Sequence, residues 1–242
     1  MEKLVAADIS VVYDGEKIIE GVSLAVNEGE IVSLLGVSGS GKTTVFNVLS
    51  GLLRPESGRV LLDGKDITGK PGSISYMLQK DLLLRHRTVL DNVSLPLILK
   101  GMSKKAAREK ARSYFADFGL EGTEKKYPKE LSGGMRQRCA LLRTYLTGSE
   151  VALLDEPFSA LDTLTKSSVH RWYTDIMEKI KLSTVFVTHD IDEAVLLSDR
   201  VYILSGKPGR ITKDIRIDLP RPRDPLSEEF IEYKRKIVSS IV

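Results

Sequence analysis

Residues 36–43 read GVSGSGKT, a glycine-rich run closed by Lys42 and Thr43. Gly36, Gly39 and Gly41 leave the backbone free to turn its N–H groups inward, so the loop through Val37, Ser38 and Ser40 can wrap phosphate oxygens. Lys42 adds a point charge in reach of terminal phosphates, and Thr43 a hydroxyl suited to a divalent cation. Thr44 continues into the first turn of a helix whose N-terminal end favours anions. A plain strand-to-helix corner requires neither the lysine nor the threonine. The run also lies where this chemistry needs it, after the apolar stretch Ile31–Leu35 and before the helix-compatible stretch Thr43–Leu53.

Asp155 and Glu156 follow a second buried-strand pattern, Val151–Leu154. Two adjacent carboxylates repel each other unless a cation or a proton separates them, which points to metal or acid–base work. His189 follows a third, Thr184–Thr188. That position belongs at the carboxyl ends of the strands, where open α/β sheets bind ligands. His86 and His170 have no such setting and are assigned no role.

These residues need a frame. Short β-branched runs separated by turn chemistry, Val5–Val12, Asp14-Gly15, Val22–Val26 and Asn27-Glu28-Gly29, predict a hairpin. Further strands are expected at Val60–Leu62, Ile74–Leu78 and Val201–Leu204, and helices at Thr163–Lys181 and Ile191–Ser198. Between about Lys80 and Gly148 helical periodicity takes over, with Ser103 as the N-cap of a helix over Lys104–Phe118. A last strand, Arg210–Leu219, and a short helix, Ser227–Ile241, are expected in a tail holding nine Lys or Arg against six acids from Gly206 on. The alternation is that of an α/β sheet with helices on its faces.

Composition bounds the function. The chain has 242 residues, 42% hydrophobic and 29% charged, enough to bury a core without disulfides or structural metals. Its single cysteine, Cys139, suits a reducing compartment. No apolar stretch approaches the ~20 residues that span a bilayer. The start, MEKLVAADIS, does not read as a secretory signal. A net charge of +3 is too small to imply nucleic-acid binding, and none is expected.

Residues 131–138, LSGGMRQR, resemble the signature motif of the ATP-binding cassette (ABC) ATPases; Met135 stands where glutamine is usual, with the Ser132-Gly133-Gly134 triplet intact. The other motifs of that family occur in its order. Tyr13 matches the aromatic residue that stacks on adenine, and Gln79 the glutamine that touches Mg²⁺ and the attacking water. Asp155 matches the Mg²⁺-holding aspartate, and Glu156 the residue that polarises the nucleophile. Ser159–Asp162, SALD, matches the D-loop, and His189 the histidine that senses the γ-phosphate.

The resemblance covers Leu4 to about Asp224. It implies a P-loop NTPase core with a mixed sheet, an N-terminal antiparallel β subdomain and an inserted α-helical subdomain. The core and β subdomain would take 1–79 and 149–205, the helical subdomain with the signature 80–148, and a basic tail 206–242. It further implies ATP and Mg²⁺, with Thr43, Gln79 and Asp155 around the metal. Two copies would close head to tail around two ATP molecules, Ser132–Gly134 of one facing Lys42 of the other. The groove near Asp81–Asn92 would receive an integral membrane permease on the cytoplasmic face, fed by an extracytoplasmic solute-binding protein. KPGRI (207–211), THDIDEAVLLSDRV (188–201) and IDLPRPRD (217–224) look like the nitrate/sulfonate/taurine class of importer ATPases. The alternatives are an exporter ATPase subunit or a soluble non-transport ABC ATPase.

Overall fold

The computed structural model describes residues 1–241, the side chain of residue 164 excepted. Two sheets form its frame. In the first, β1 (Glu2–Tyr13) pairs antiparallel with β2 (Glu16–Asn27) and with β4 (Ser57–Leu62), which carries the two-residue β5 (Lys65–Asp66) on its far edge. The second has six strands in the order β10-β9-β3-β8-β7-β6. β3 (Ile31–Leu35), β6 (Ser75–Met77), β7 (Val151–Asp155), β8 (Ser183–Thr188) and β9 (Arg200–Ser205) run parallel, and β10 (Arg210–Arg216) closes the edge antiparallel to β9. The mixed sheet and the separate antiparallel sheet are those that the family resemblance implied.

The parallel strands are buried on both faces, which explains their nearly continuous apolar runs. Side chains alternate between two different environments, as the two-residue period requires. Val32, Leu34, Val151, Leu153, Val185, Val187, Tyr202 and Leu204 join the antiparallel sheet and α1 (Lys42–Leu49) in one core. On the opposite face, Ala152, Leu154 and Phe186 pack under α4 (Gly133–Tyr145) and α5 (Thr163–Ile180). Further along that face, Leu35, Val201 and Ile203 pack under α6 (Ile191–Leu197) and α7 (Glu228–Ile241).

Between β6 and β7 the chain is helical. α2 (Val89–Leu99), capped by Thr88, is an element the sequence reading did not delimit, because Pro96 interrupts its pattern. α3 (Lys104–Arg112) starts at the Ser103 cap as expected but ends before Phe118. Tighter turns take over, with Tyr114 N–H on Ala111 O and Phe115 N–H on Arg112 O, and they bury Phe115, Phe118 and Leu120. No helix among the described residues is long and apolar enough to cross a membrane.

The basic tail does not simply face solvent. Arg223 is buried, and its guanidinium donates to Val195 O and Ser198 O at 2.6 and 2.5 Å and to Leu219 O at 3.1 Å. Arg221 donates to Leu197 O at 2.7 Å and pairs with Asp199 at 2.7 Å. The two arginines thus satisfy the carbonyls left open at the C-terminal end of α6. Burial pushes the Arg223 pKa down to about 10.

Candidate active site

β3 delivers the chain into the loop 36–41, and α1 begins at Lys42. Lys42 is buried, and its ammonium donates to Gly36 O at 2.7 Å and Val37 O at 2.9 Å. A cation is therefore lodged inside a ring of backbone. Burial lowers its pKa, and the charges of Glu156 and Asp155 only partly oppose this. The loop is buttressed from behind by the tail. Gly209 accepts Glu20 N–H at 3.0 Å and donates to Ile18 O at 2.8 Å; a Cβ there would stand 2.1 Å from Ser40 O, so only glycine fits.

Asp155 ends β7, and Glu156 follows it. Glu156 adopts φ +43°, a left-handed conformation that L side chains rarely take, and its N–H donates to Val187 O at 3.1 Å. Backbone strain of this kind gathers at functional sites. The Glu156 carboxylate is held from two sides. Gln79 Nε2 donates to Oε2 at 3.0 Å, and His189 Nδ1 lies 3.2 Å from Oε1. Residues from the ends of β6, β7 and β8, separated by up to 110 positions, thus meet at one point.

Asp155 behaves differently. Burial, then repulsion from Glu156, raises its pKa; Lys42 and the Tyr76 phenol work the other way. The sign for stability follows by linkage. A carboxyl with a raised folded pKa favours the fold while protonated, and that contribution is lost as pH rises through the folded value. Asp155→Asn is therefore expected to raise the melting temperature at neutral pH by a few degrees, the effect of ~1 kcal/mol in a chain of this size. Thermal scans across pH check it, with the gap to wild type narrowing on acidification.

An open cavity of about 600 Å³ joins these groups, lined by Ser38, Gly39, Gly41, Lys42, Thr43, Thr44, Gln79, Asp155, Glu156 and His189. Ile18 and Val187 complete it, and neither was singled out in the sequence. Val187 immediately precedes the Thr-His pair and could have been found from it; Ile18 has no local signal. Gly36, Val37 and Ser40 shape the loop without lining the cavity.

Tyr13 lies outside that lining, half-exposed where β1 meets the hairpin turn. Ser132, Gly133 and Gly134 also lie outside it. Ser132 caps α4, accepting Met135 N–H at 3.3 Å. Gly134 permits close packing of α4 on α5, since a Cβ would stand 3.0 Å from Val169 Cγ2. Asp162 caps α5, accepting Thr165 N–H at 3.0 Å. The structure therefore gathers the loop, the carboxylates, the glutamine and the histidine at one place, and leaves the signature triplet and Asp162 outside it.

The family model described as ABC transporter matches residues 19–159. The chain belongs to the ABC transporter family. As an ABC ATPase it can be set beside curated relatives of similar length. The formylaminopyrimidine import ATP-binding protein ThiZ of Halalkalibacterium halodurans is 44% identical, over 97% of this chain and 92% of the relative. The aliphatic sulfonates import ATP-binding protein SsuB of Bacillus cereus is 39% identical, over 92% of this chain and 87% of the relative. Among solved structures, a dimeric ATP-binding cassette in a post-hydrolysis state bound to ADP and Pi superposes with a TM-score of 0.75 and 29% identity, over 90% of this ATPase and 100% of that chain. A nucleotide-free cassette from an ABC transporter shares the fold at a TM-score of 0.82 and 24% identity, over 100% of this chain and 98% of the other.

Proposed function

We propose that this ABC ATPase hydrolyses ATP to energise uptake of a small solute of the nitrate/sulfonate/taurine-like class, through a separate integral permease on the cytoplasmic face of the membrane. The observation that carries the hydrolytic part is the Glu156 carboxylate, held by Gln79 and His189 at the mouth of the phosphate loop. Import is supported by the end-to-end likeness to ThiZ and SsuB, both named as import ATP-binding proteins.

Phosphoryl transfer to water needs positioning and charge neutralisation more than covalent chemistry. Lys42 and the N–H groups of the loop supply fixed positive charge, and a phosphate can replace the loop's own carbonyls as partner of the ammonium. Glu156 accepts a hydrogen bond from the attacking water and His189 orients toward the γ-phosphate. Tyr13, close along the hairpin to the cavity-lining Ile18, is exposed enough to stack on a purine ring.

The residues present also fit Mg²⁺. A small hard cation takes oxygen donors and shares its shell with substrate phosphates. Among the described residues no cluster of three or more His, Cys, Asp or Glu forms a closed cage. Thr43 and Asp155 line the cavity, and Gln79, whose Nε2 is spent on Glu156, keeps its Oε1 for the metal. When bound, the ion neutralises phosphate charge and relieves the Asp155–Glu156 repulsion. With the signature triplet outside the cavity, a second copy would supply Ser132, Gly133 and Gly134 to the opposite face of ATP. Asp162, capping α5, would stand at that contact.

The test is purification of the tagged chain from detergent-solubilised host membranes, followed by reconstitution in proteoliposomes. An integral permease is expected to co-purify, and an extracytoplasmic solute-binding protein to stimulate ATP turnover from the opposite side. Turnover indifferent to any such protein would favour export, and absence of a membrane partner would end the transport reading.

A further inference from the structure

A partly buried charged cluster ties α5 to the segment that carries His189. Lys166 lies one turn into α5, with its N–H on Asp162 O at 2.8 Å. Its ammonium reaches across to α6, 2.8 Å from Asp190 Oδ2 and 2.6 Å from Glu193 Oε1. Glu193 is 3% exposed, and its Oε2 accepts the Thr188 hydroxyl at 2.6 Å. That hydroxyl in turn accepts Asp190 N–H at 3.0 Å. His170 Nε2 stands 3.4 Å from Glu193 Oε1, with the Phe158 ring edge-on to its imidazole.

The cluster brackets His189. Thr188 precedes it and Asp190 follows it, and both side chains are fixed by groups anchored on Lys166 and Glu193. The His189 side chain is 63% exposed, so surrounding packing does little to hold it against Glu156. Its direction is set by the backbone on either side. Joining α5 to α6 does not of itself require buried charge, since apolar residues of similar volume commonly serve as well or better for stability. Burial alone would neutralise these groups, yet the hydrogen bond to Asp190 and the ion pair with Glu193 keep the Lys166 pKa raised, and the neighbouring His170, Lys166 and Thr188 hold Glu193 low. The cluster is thus a set of charges whose geometry depends on each other.

We propose that Lys166 and Glu193 are positioning residues for hydrolysis: their ion pair sets His189 against Glu156 and fastens that segment to the helix capped by Asp162. The inference rests on the ATPase reading of the site. Displacement of the first turn of α5, where a second copy would press on Ser159–Asp162, is then passed to the histidine through one lysine.

Lys166→Met, Glu193→Gln and Lys166→Arg are compared with wild type by ATP turnover and by imidazole NMR. The chain has three histidines, and the His189 signals are identified by their loss in His189→Gln. Lys166→Met and Glu193→Gln are expected to shift the His189 signals in nucleotide-free protein. They are also expected to lower kcat on the order of tenfold, the scale of a small misplacement of a reacting group, with KM for ATP within about twofold. Lys166→Arg should recover most of both. Should Lys166→Met fail to fold, the isosteric Glu193→Gln gives the same two readouts. His189 signals unmoved in the folded variants overturn the proposal, as does unchanged kcat. A wild-type chain that turns over no ATP, but whose His189 signals still respond to the variants, sinks the ATPase reading and leaves the positioning intact.

Discussion

Glu156→Gln is expected to reduce ATP turnover on the order of 10²–10³-fold, within the range that a positioned general base supplies, while ATP binding stays within a few-fold of wild type. The asymmetry comes from where the carboxylate sits. Glu156 is held by Gln79 and His189 rather than by Lys42, whose ammonium is lodged on Gly36 O and Val37 O. Glutamine keeps the size of the side chain and loses the charge that would polarise water. The change also removes a like charge from Asp155, one of the causes of its raised pKa, so metal and nucleotide should be held at least as well. Trapped ATP should then hold two copies together. Phosphate release reports the first effect, and light scattering with and without ATP the second. Turnover within about threefold of wild type, a change of less than ~1 kcal/mol in the barrier, would remove Glu156 from the chemistry.

Much of this site was legible in the sequence because it is built from short local patterns. The phosphate loop lies on eight consecutive residues, and Asp155-Glu156 directly follows the run that forms β7. Parallel strands buried on both faces advertise themselves as apolar runs, so β3, β7, β8 and β9 stood out. What did not show was the cross-chain geometry. Nothing near Glu193 says that its carboxylate meets Lys166, 27 positions earlier, and nothing in the tail says that Arg223 turns inward to cap α6. Read by composition, those tail arginines belong to a basic, solvated stretch; their partners are backbone carbonyls, which carry no sequence signature. Gly209 is similar. It reads as a turn glycine, and only the fold shows that Ser40 O leaves no room for a side chain. The helix α2 went undelimited for a local reason, Pro96, which lies inside the helix and supplies no N–H to its ladder.

Lys42→Met is expected to separate nucleotide binding from the stability of the empty protein. In the nucleotide-free chain the ammonium is buried and donates to two carbonyls of its own loop, with its pKa lowered by that burial. The linkage sign is opposite to that of a paired surface lysine. A lysine whose folded pKa is depressed weakens the fold while it is charged, so the empty Lys42→Met protein should melt at or slightly above the wild-type temperature near neutral pH. With ATP the order should reverse. Loss of a desolvated cation facing phosphate oxygens commonly costs about 3–5 kcal/mol, or roughly 10²- to 5 × 10³-fold in Kd. The ATP-induced rise in melting temperature, large for wild type, should therefore be nearly absent in Lys42→Met at the same ATP concentration. Thermal scans with and without ATP, beside titration of a fluorescent ATP analogue, give both numbers from one preparation. A variant that loses stability when empty would show that Lys42 serves the fold as a loop staple. One that keeps its ATP-induced shift would show that the phosphate is held by the backbone N–H groups alone.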